Sequence, residues 1–342
     1  MNVLSIIILC FLYLYGIIIL YITVLAKKKK EIGAFINNIT NAIVFVVSIS
    51  INLTFSNLFN LPNREFIEFP FNILTITFIL LFLPLFFLFI YREKHRIKIQ
   101  KRITTHLEQQ SFTELPLKYD IYRKLAHFVV LGIIFFYFTL GFILQNFSIT
   151  IIGDIMIFSQ ELVVFLVMIS LIGLLTADFT RILTPNLYPL KPVNQLLREK
   201  ELHLRLGPHI SMSIGCFSII LLYGVIQPIG PVIICTSMVM SIFGDITANL
   251  TGRTIGRRKI RKTNKTYEGL IGGIFAAFIS GIIVLFILRN YYNFSITGLL
   301  IIPFIGMIII GIIDYLDLEI DDNLTFNFLV STILFFISIL IL

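Results

Sequence analysis

Long apolar runs, separated by short polar segments, make up most of this chain. A membrane-spanning helix needs about 20 predominantly apolar residues. Runs that meet or approach this length lie at about 3–26, 37–59, 70–91, 125–146, 156–177, 209–226, 231–250, 269–288, 297–313 and 324–342. The pattern therefore predicts an all-α, polytopic integral membrane protein with about ten transmembrane helices.

The composition narrows the class of protein further. Of the 342 residues, 57% are hydrophobic and 13% are charged, whereas a soluble domain has roughly 25% charged residues. A water-soluble or disordered chain is excluded, because neither can accommodate so much apolar surface. Cys10, Cys216 and Cys235 lie far apart in apolar runs without a metal-binding spacing, so we expect buried thiols.

The net charge of +8 is unevenly distributed between the polar segments. Short loops rich in Lys and Arg stay in the cytoplasm. With ten spans and the N-terminus outside, the inner segments 27–30, 92–124, 178–208 and 251–268 contain every Lys and Arg except Arg64 and Arg289. This predicts a cytosolic position for the polar loops. Because the basic residues alternate with spans, and no aromatic-basic face forms, a nucleic-acid partner is not expected.

One inner loop, 314–323, is acidic instead of basic. Its carboxylates repel each other unless cations neutralise them. The Lys and Arg side chains of the basic loops, or Mg²⁺, are the available cations. Asp321 and Asp322 could alternatively cap the last helix. Asn323 lies at the same inner mouth of the last span.

The segment around the seventh span carries the strongest candidate chemistry. Asp245 lies inside the span, where a carboxylate is costly and normally faces a polar cavity with a partner. Asn249 and Gly252 share its helix face, and Gly256 follows. Glycines let backbone N–H groups approach anionic oxygens, and the basic residues that follow, which include Arg257, Arg258 and Lys265, neutralise phosphate charge. Asp245 could hold Mg²⁺ that bridges to phosphate oxygens. The interpretation is a phosphate site, with a stop to translocation as the simpler alternative.

Two further elements carry polar side chains at span ends. Arg123 and His127 are four residues apart and share a helix face, although a snorkelling basic flank with an interfacial His is the simpler explanation. The segment 197–201 follows the fifth span and contains Arg198, Lys200 and Glu201. It is either a source of further metal or phosphate contacts or a solvated loop.

Together these motifs resemble the polyprenol kinase family, which includes dolichol kinase, phytol kinase and the CTP-dependent diacylglycerol kinase of fungi. The resemblance covers about 120–330. It rests on Arg123-Lys124-x-x-His127, Leu197-Arg198-x-Lys200-Glu201, Gly244-Asp245-x-x-Ala248-x-x-x-Gly252-x-x-x-Gly256 with Lys265-Thr266-x-Glu268-Gly269, and Asp321-Asp322-Asn323-Leu324-Thr325. The chain departs from the family pattern at Asn249, where a small residue is more usual, and at Phe326-Asn327, where Val-Pro usually follows.

The resemblance implies a transferase that moves a phosphoryl group from a nucleoside triphosphate, usually CTP, to a membrane isoprenoid alcohol of the dolichol or polyprenol type. It implies Mg²⁺ or another divalent cation, with Asp245 and Asp322 as the matching metal and catalytic positions. On chemical grounds, Asp322, Glu201 or His127 could accept the proton of the alcohol and act as a catalytic residue. The expected nucleotide-binding residues are Asn249, Gly252, Gly256, Arg257, Arg258, Lys265, Thr266 and Glu268. The further motif residues are Arg123, Lys124, Arg198, Lys200, Asp321 and Asn323.

The expected organisation is a three-helix membrane region at 1–118 with a basic cytosolic segment, followed by a catalytic membrane domain at 119–342. The membrane would be the endoplasmic reticulum in a eukaryote or the plasma membrane in a prokaryote, with a cytosolic active site and membrane lipids around the spans. The oligomeric state and the alcohol are left open.

Two alternative functions remain. One is a CTP:phospholipid cytidylyltransferase that makes a CDP-lipid, because its nucleotide segment is similar. The C-terminal Pro-Gly-His-Gly-Gly signature of those enzymes does not occur in this sequence. The other is an ion-coupled transporter or flippase, in which Asp245 would couple an ion.

Overall fold

A computed structural model describes residues 2–58, 66–100, 116–140, 143, 155–224, 226, 228–260, 263–291 and 295–341. These residues are almost entirely helical. The α-helices are α1 (Val3–Lys28), α2 (Ile32–Leu58), α3 (Phe71–Gln100), α4 (Leu117–Leu125), α5 (Leu131–Ile134), α6 (Ile155–Leu183), α7 (Pro208–Leu222), α8 (Ile229–Thr254), α9 (Tyr267–Ile287), α10 (Ile296–Leu316), α11 (Asp322–Thr325) and α12 (Ser331–Ile341). Within the described ranges the only strand-like pairing is one isolated bridge, Lys259 to Thr266.

The chain is an all-α polytopic membrane protein, as the hydropathy pattern predicts. Nine helices within the described ranges are long and apolar enough to cross a membrane. Each of the ten apolar runs contains a helix, but the sixth run forms only α7, an apolar helix of 15 residues. The described part of the run 125–146 alternates between 3₁₀, α and π geometry (Ala126–Val130, Leu131–Ile134 and Phe135–Thr139); Gly141, Phe142 and residues 144–146 lie outside the described residues.

Some helices extend beyond the apolar runs, because polar residues continue the helix. α3 continues through basic positions such as Arg92 to Gln100, while the rest of the basic segment, 101–115, lies outside the described residues. Cys216 and Cys235 are buried, but Cys10 is exposed on α1. The expectation of a buried thiol was wrong for Cys10, because an apolar residue of a membrane helix can face lipid instead of protein.

The chain divides into two compact units. Unit 1 comprises 1–125 and 165–213, and unit 2 comprises 126–164 and 214–342. Two of the three boundaries fall inside α6 and α7, and the third directly follows α4, so this division differs from the motif-based division at 118 and 119. The segment 198–201 belongs to unit 1, and His127 belongs to unit 2.

In unit 1, α1 packs against α2 and α3, and the α6–α7 connection is a series of 3₁₀ turns at Pro185–Leu187, Lys191–Leu196 and Glu199–Glu201. Asn37, Asn38 and Asn41 of α2 are completely buried. Polar groups inside a membrane bundle need internal partners. The asparagine face of α2 therefore marks the side that faces protein.

In unit 2, α9 packs closely along α8 and against α10. Glycines allow the first contact. A Cβ added at Gly273 would lie 2.8 Å from Ala248 Cβ and 2.9 Å from the Gly244 carbonyl oxygen, and one added at Gly269 would lie 2.6 Å from the Ala248 oxygen. Small residues at a membrane helix interface let the backbones approach in this way. The close approach holds the polar ends of α8 and α9 next to each other.

The last span is a continuous helix with a π-helical segment. α11 is followed by the π segment Phe326–Val330 and then by α12. Single π turns inside an α-helix occur frequently at functional sites. This one begins one residue after the Asp-Asn-Leu-Thr motif.

We predict that Gly273→Ala destabilises the protein by about 1–3 kcal/mol, because the added methyl group overpacks the α8–α9 contact. Gly132→Ala is the matched control, since a Cβ at Gly132 has nothing within 4 Å. Thermal unfolding of the purified variants in detergent measures the difference. Equal unfolding temperatures for the two variants would contradict the packing account.

Candidate functional site

The Lys265 side chain is the centre of a carboxylate cluster in unit 2. Its Nζ lies 3.0 Å from Asp314 Oδ1, 3.1 Å from Asp317 Oδ1 and 3.1 Å from Asp322 Oδ2. It also donates to the Asp314 carbonyl oxygen at 3.2 Å. The expectation that a cation neutralises carboxylates of the acidic loop is confirmed, and Lys265 of the basic loop supplies that cation.

The charge of Lys265 is stabilised by its surroundings. Burial by itself lowers the pKa of Lys265, but the carboxylates of Asp322, Asp314 and Asp317 outweigh burial and raise the pKa above its ordinary value. The ammonium group therefore stays protonated throughout the neutral range. It connects the loop between α8 and α9 with the end of α10 and the start of α11.

The loop that carries Lys265 folds back on itself. Ile260 N donates to the Lys265 oxygen, and Tyr267 N donates to the Arg258 oxygen, both at 2.9 Å. Glu268 Oε2 accepts from the backbone N–H groups of Arg257 (3.1 Å) and Arg258 (3.2 Å). Glu268 thus fixes the backbone of the basic loop, and the side chains of Arg257 and Arg258 are exposed.

The remaining residues of this motif hold the base of the loop together. The Thr266 hydroxyl caps α9 by accepting from Gly269 N at 3.2 Å. A Cβ at Gly252 would lie 3.1 Å from this hydroxyl, and one at Gly256 would collide with the Gly252 oxygen. Both glycines have a packing role here. Their nucleotide-binding role stays a prediction.

His127, Asn323 and Asp321 form a second network in unit 2. All three are buried. His127 Nε2 lies 2.8 Å from Asn323 Oδ1, and Asn323 donates to Asp321 Oδ1 from Nδ2 (2.8 Å) and from its backbone N–H (3.0 Å). Because the Asn323 amide nitrogen donates to Asp321, its oxygen accepts from His127. The network assigns the proton to Nε2.

Asp321 and Asp322 therefore have different roles. Asp321 is the N-cap of α11, as the capping alternative expects, and Asp322 belongs to the Lys265 cluster.

Asp245 lies beside the same cluster. It lines a crevice together with Gly273 and Asp314 that is too narrow for a water molecule, and its carboxylate interacts electrostatically with that of Asp322. Asn249, one turn further along α8, is half-buried. Among the described residues, no group of three His, Cys, Asp or Glu side chains is arranged to hold a metal ion.

The first two motifs meet in unit 1. Arg123 Nη1 donates to both carboxylate oxygens of Glu201, at 2.9 and 3.0 Å, and Arg198 N donates to Glu201 Oε2 at 2.9 Å. The Arg198 side chain forms a longer ion pair with Asp120 at 3.7 Å. Burial raises the pKa of Glu201, but Arg123 and the Arg198 backbone outweigh burial and hold the pKa below its ordinary value. Lys124 is half-buried and Lys200 is exposed.

The segment after Glu201 is held by buried side chains of α2 and α6. Asn38 Nδ2 donates to the Leu204 oxygen at 2.8 Å, and Leu206 N donates to Asn38 Oδ1 at 3.0 Å. Arg181 donates to the Arg205 oxygen at 2.7 Å and pairs with Asp178. Asp178 also accepts from Gly207 N at 3.0 Å. These contacts give the N-terminal region, which carries no motif, a role in holding the 198–207 segment.

The predicted site residues thus fall into two groups. Unit 2 brings together Asp245, Lys265, Thr266, Glu268, Asp321, Asp322, Asn323 and His127 with the glycines, while unit 1 brings together Arg123, Arg198 and Glu201. No protein-family model, curated protein or solved structure matches the chain.

Sequence reasoning did not assign Asp314, Asp317, Asp120 or Asn38 to a site. For Asn38, the available signal was polarity inside an apolar run, since polar residues in membrane helices normally face protein. For Asp317, it was the acidic composition of the loop 314–323. For Asp314, that signal was a carboxylate at the end of an apolar run.

We predict that Lys265→Met destabilises the protein by about 1–3 kcal/mol, because three carboxylates lose their common cation. The loss is limited because solvent partly screens the repulsion between these carboxylates. Lys259→Met is the matched control, because Lys259 lies in the same loop and is exposed. Thermal unfolding in detergent measures both variants. A loss as small as that of the control would show that the cluster contributes nothing measurable.

We also predict that Glu201→Gln costs about 3 kcal/mol, because it leaves Arg123 charged and half-buried without its carboxylate. The pKa of Glu201 is depressed in the folded state, so the stabilisation is present above the unfolded-state value of about 4.3 and is lost as the pH falls through the folded pKa. Unfolding temperatures measured from pH 7 to pH 3 should fall more steeply for the wild type than for Glu201→Gln. Parallel pH profiles would contradict the ion-pair role.

Proposed function

We propose that this protein is a membrane kinase that transfers the γ-phosphoryl group of CTP to the hydroxyl of a membrane isoprenoid alcohol. One observation carries the proposal: in unit 2, a basic loop, a carboxylate cluster and a buried histidine network converge through Lys265, Asp322 and Asn323. Phosphoryl transfer needs cations for the donor phosphates, a hydroxyl acceptor and positioning more than covalent chemistry. The motif resemblance supplies the donor and the acceptor class.

The donor phosphates belong at the α8–α9 loop. Arg257, Arg258 and Lys259 present exposed cationic side chains there, on a backbone held by Glu268. Guanidinium groups match phosphate oxygens in a bidentate geometry. The charge that develops on the transferred group is stabilised by these side chains.

Asp245 and Asp322 would hold Mg²⁺. The donor type fits, because Mg²⁺ takes oxygen ligands and usually combines one or two carboxylates with substrate phosphates instead of a complete protein cage. The narrow crevice at Asp245 would have to widen to admit the ion. The absence of a three-residue ligand group among the described residues is compatible with that mode. When bound, the ion would neutralise charge on the donor phosphates.

His127 is the proton acceptor that the network favours. Asn323 Oδ1 accepts a hydrogen bond from His127 Nε2. In the proposed reaction, the other ring nitrogen, Nδ1, would take up the proton of the alcohol as phosphoryl transfer proceeds. Glu201 belongs to unit 1, and both of its carboxylate oxygens accept hydrogen bonds from Arg123. In this proposal Glu201 therefore holds Arg123 in place and is not the proton acceptor.

The orientation also belongs to the proposal. The positive-inside pattern puts the basic loops in the cytosol, where CTP is present. The N-terminus is then outside, and the host membrane is the endoplasmic reticulum or, in a prokaryote, the plasma membrane.

Label transfer from CTP tests the proposed reaction. Membranes that contain the protein are incubated with Mg²⁺, mixed isoprenoid alcohols and phospholipids, and CTP labelled at either the γ- or the α-phosphate. We expect lipid label from the γ-phosphate only. Label from the α-phosphate only would contradict the kinase and indicate a cytidylyltransferase. The absence of lipid label from either position would contradict both proposed activities.

We predict that Asp245→Asn lowers transfer to alcohol by at least about a hundredfold without changing the unfolding temperature, because a metal-binding carboxylate is lost with little change in shape. Glu319→Gln is the control, because Glu319 is an exposed carboxylate of the acidic loop. Full activity of Asp245→Asn would exclude Asp245 from the metal site.

A further inference from the structure

Seven basic side chains of unit 1 lie outside the networks described above. Lys27 to Lys30 end α1 and form the turn before α2, and Arg92, Lys94 and Arg96 lie in the last part of α3. All seven are exposed. Glu93, the acidic residue within this part of α3, pairs with Arg96 at 3.5 Å. We call these seven residues the basic rim, and they carry an excess of positive charge.

The two helices that carry the basic rim run in the same direction. Ser5, near the start of α1, donates to the Ile67 oxygen at 3.3 Å, and Ile67 lies shortly before α3 begins. The two helices also pack against each other. Their C-terminal ends therefore lie at the same end of unit 1.

A common neighbour, α6, fixes the relative level of these two ends. The Tyr15 hydroxyl of α1 lies 2.6 Å from Thr176 Oγ1, and a Cβ at Gly173 would lie 3.7 Å from the Phe82 ring of α3. Gly173 and Thr176 lie within one turn of each other on α6. From these contacts, α1 continues for about 20 Å to its last residue, and α3 continues for about 20 Å to Arg96. The two parts of the basic rim therefore reach a similar level.

The basic rim borders a surface that faces lipid. Tyr21 of α1 and Tyr91 of α3 are 55% and 65% exposed, and the apolar side chains of Val24, Leu88 and Phe89 are exposed as well. Exposed apolar side chains of spanning helices face the lipid chains, and Tyr is enriched where the chains meet the headgroups. Tyr91 directly precedes the basic part of α3, and Tyr21 lies less than two turns before the lysines of α1. The basic rim therefore lies at the level of the lipid headgroups.

The backbone that carries the lysines is fixed. Glu31 N donates to the Ala26 oxygen at 3.0 Å, and Glu31 Oε2 accepts from Leu204 N at 3.4 Å. Lys30 has a φ of 61°, in the left-handed region that glycine adopts at the least cost. The turn therefore keeps a cationic side chain at a position where glycine would be less strained.

We propose that the basic rim binds the headgroups of anionic phospholipids in the leaflet around α1 and α3. Ammonium and guanidinium groups form charge-assisted hydrogen bonds to phosphate oxygens, and a basic cluster next to a span is attracted to a negatively charged leaflet. A soluble anion would meet the same charges, but only a phospholipid also contacts the adjoining tyrosine and apolar surface. The inference does not depend on the proposed function, since binding in the leaflet requires no catalysis.

A tryptophan reporter measures the lipid composition next to the basic rim. The chain contains no tryptophan, so Tyr91→Trp introduces a single indole at the rim, and Ile73→Trp introduces one at the other end of α3. Ile73 is 46% exposed and lies five helical turns from Tyr91 on the same face. Each full-length variant is reconstituted into bilayers of phosphatidylcholine and phosphatidylglycerol. One lipid or the other is brominated, and the brominated lipid quenches indole fluorescence on contact.

We expect phosphatidylglycerol to be enriched about fivefold or more over phosphatidylcholine at the Tyr91→Trp reporter, because several cationic side chains act on its headgroup. At the Ile73→Trp reporter we expect no enrichment. Added salt should lower the enrichment at the rim, because exposed charges are screened.

Charge removal assigns the enrichment to the lysines. In the Tyr91→Trp background, Lys28→Gln, Lys29→Gln and Lys30→Gly together should lower the enrichment by about threefold or more. Lys30→Gly suits the left-handed backbone at this position, so this single variant carries the test if the triple variant does not fold. The matched control replaces the same three lysines by arginine, which keeps the charge and should keep the enrichment.

Equal enrichment at the two reporters would overturn the proposal, and so would an enrichment that survives removal of the lysines. Inorganic phosphate and sodium chloride, compared at equal ionic strength, distinguish a headgroup from a free anion. Equal effects of the two salts are expected for a lipid headgroup. If phosphate displaced phosphatidylglycerol more effectively than chloride, a free phosphate group would be the occupant and the lipid assignment would be wrong.

Discussion

Three carboxylates, those of Asp314, Asp317 and Asp322, converge on the single ammonium group of Lys265. Without that cation, the carboxylates would repel each other in a partly buried position at the end of a membrane unit. With it, the basic loop, the end of α10 and the start of α11 are held together. This one side chain therefore pairs with three of the five carboxylates in the acidic loop 314–323.

The same interaction depends on the close packing of α8 and α9. Glycines at this contact bring the two helix backbones together, and Thr266 and Glu268 then hold the connecting loop with backbone hydrogen bonds. The motif residues of this loop therefore act first on the shape of the loop. The Arg257 and Arg258 side chains are exposed, and in the proposed function they would bind the donor phosphates.

The helical, membrane-spanning type of the apolar runs could be predicted from the sequence because hydropathy is a local property. The ten predicted runs correspond, within the described ranges, to nine helices long enough to span a membrane and the shorter α7. The apolar runs predicted helices in every case. Asp245 was identified because a carboxylate in an apolar run is costly, Lys265 because it lies in the basic loop that follows, and His127 because it shares a helix face with Arg123. The partners of these residues could not be predicted. Lys265 meets Asp322 and His127 meets Asn323 across long sequence separations, and no local pattern encodes such a pairing. Asn38 shows the same limit, since its partners are the backbone groups of a distant segment.

The most direct test of the central interaction is a double-mutant cycle on Lys265 and Asp322. Unfolding free energies are measured in detergent for the wild type, Lys265→Met, Asp322→Asn and the double variant. If Lys265 is the cation that holds the acidic residues together, the coupling energy should be about 1 kcal/mol or more, with the double variant less destabilised than the sum of the single variants. Additive effects of the two substitutions would contradict the account, because they would show that the two side chains do not stabilise each other.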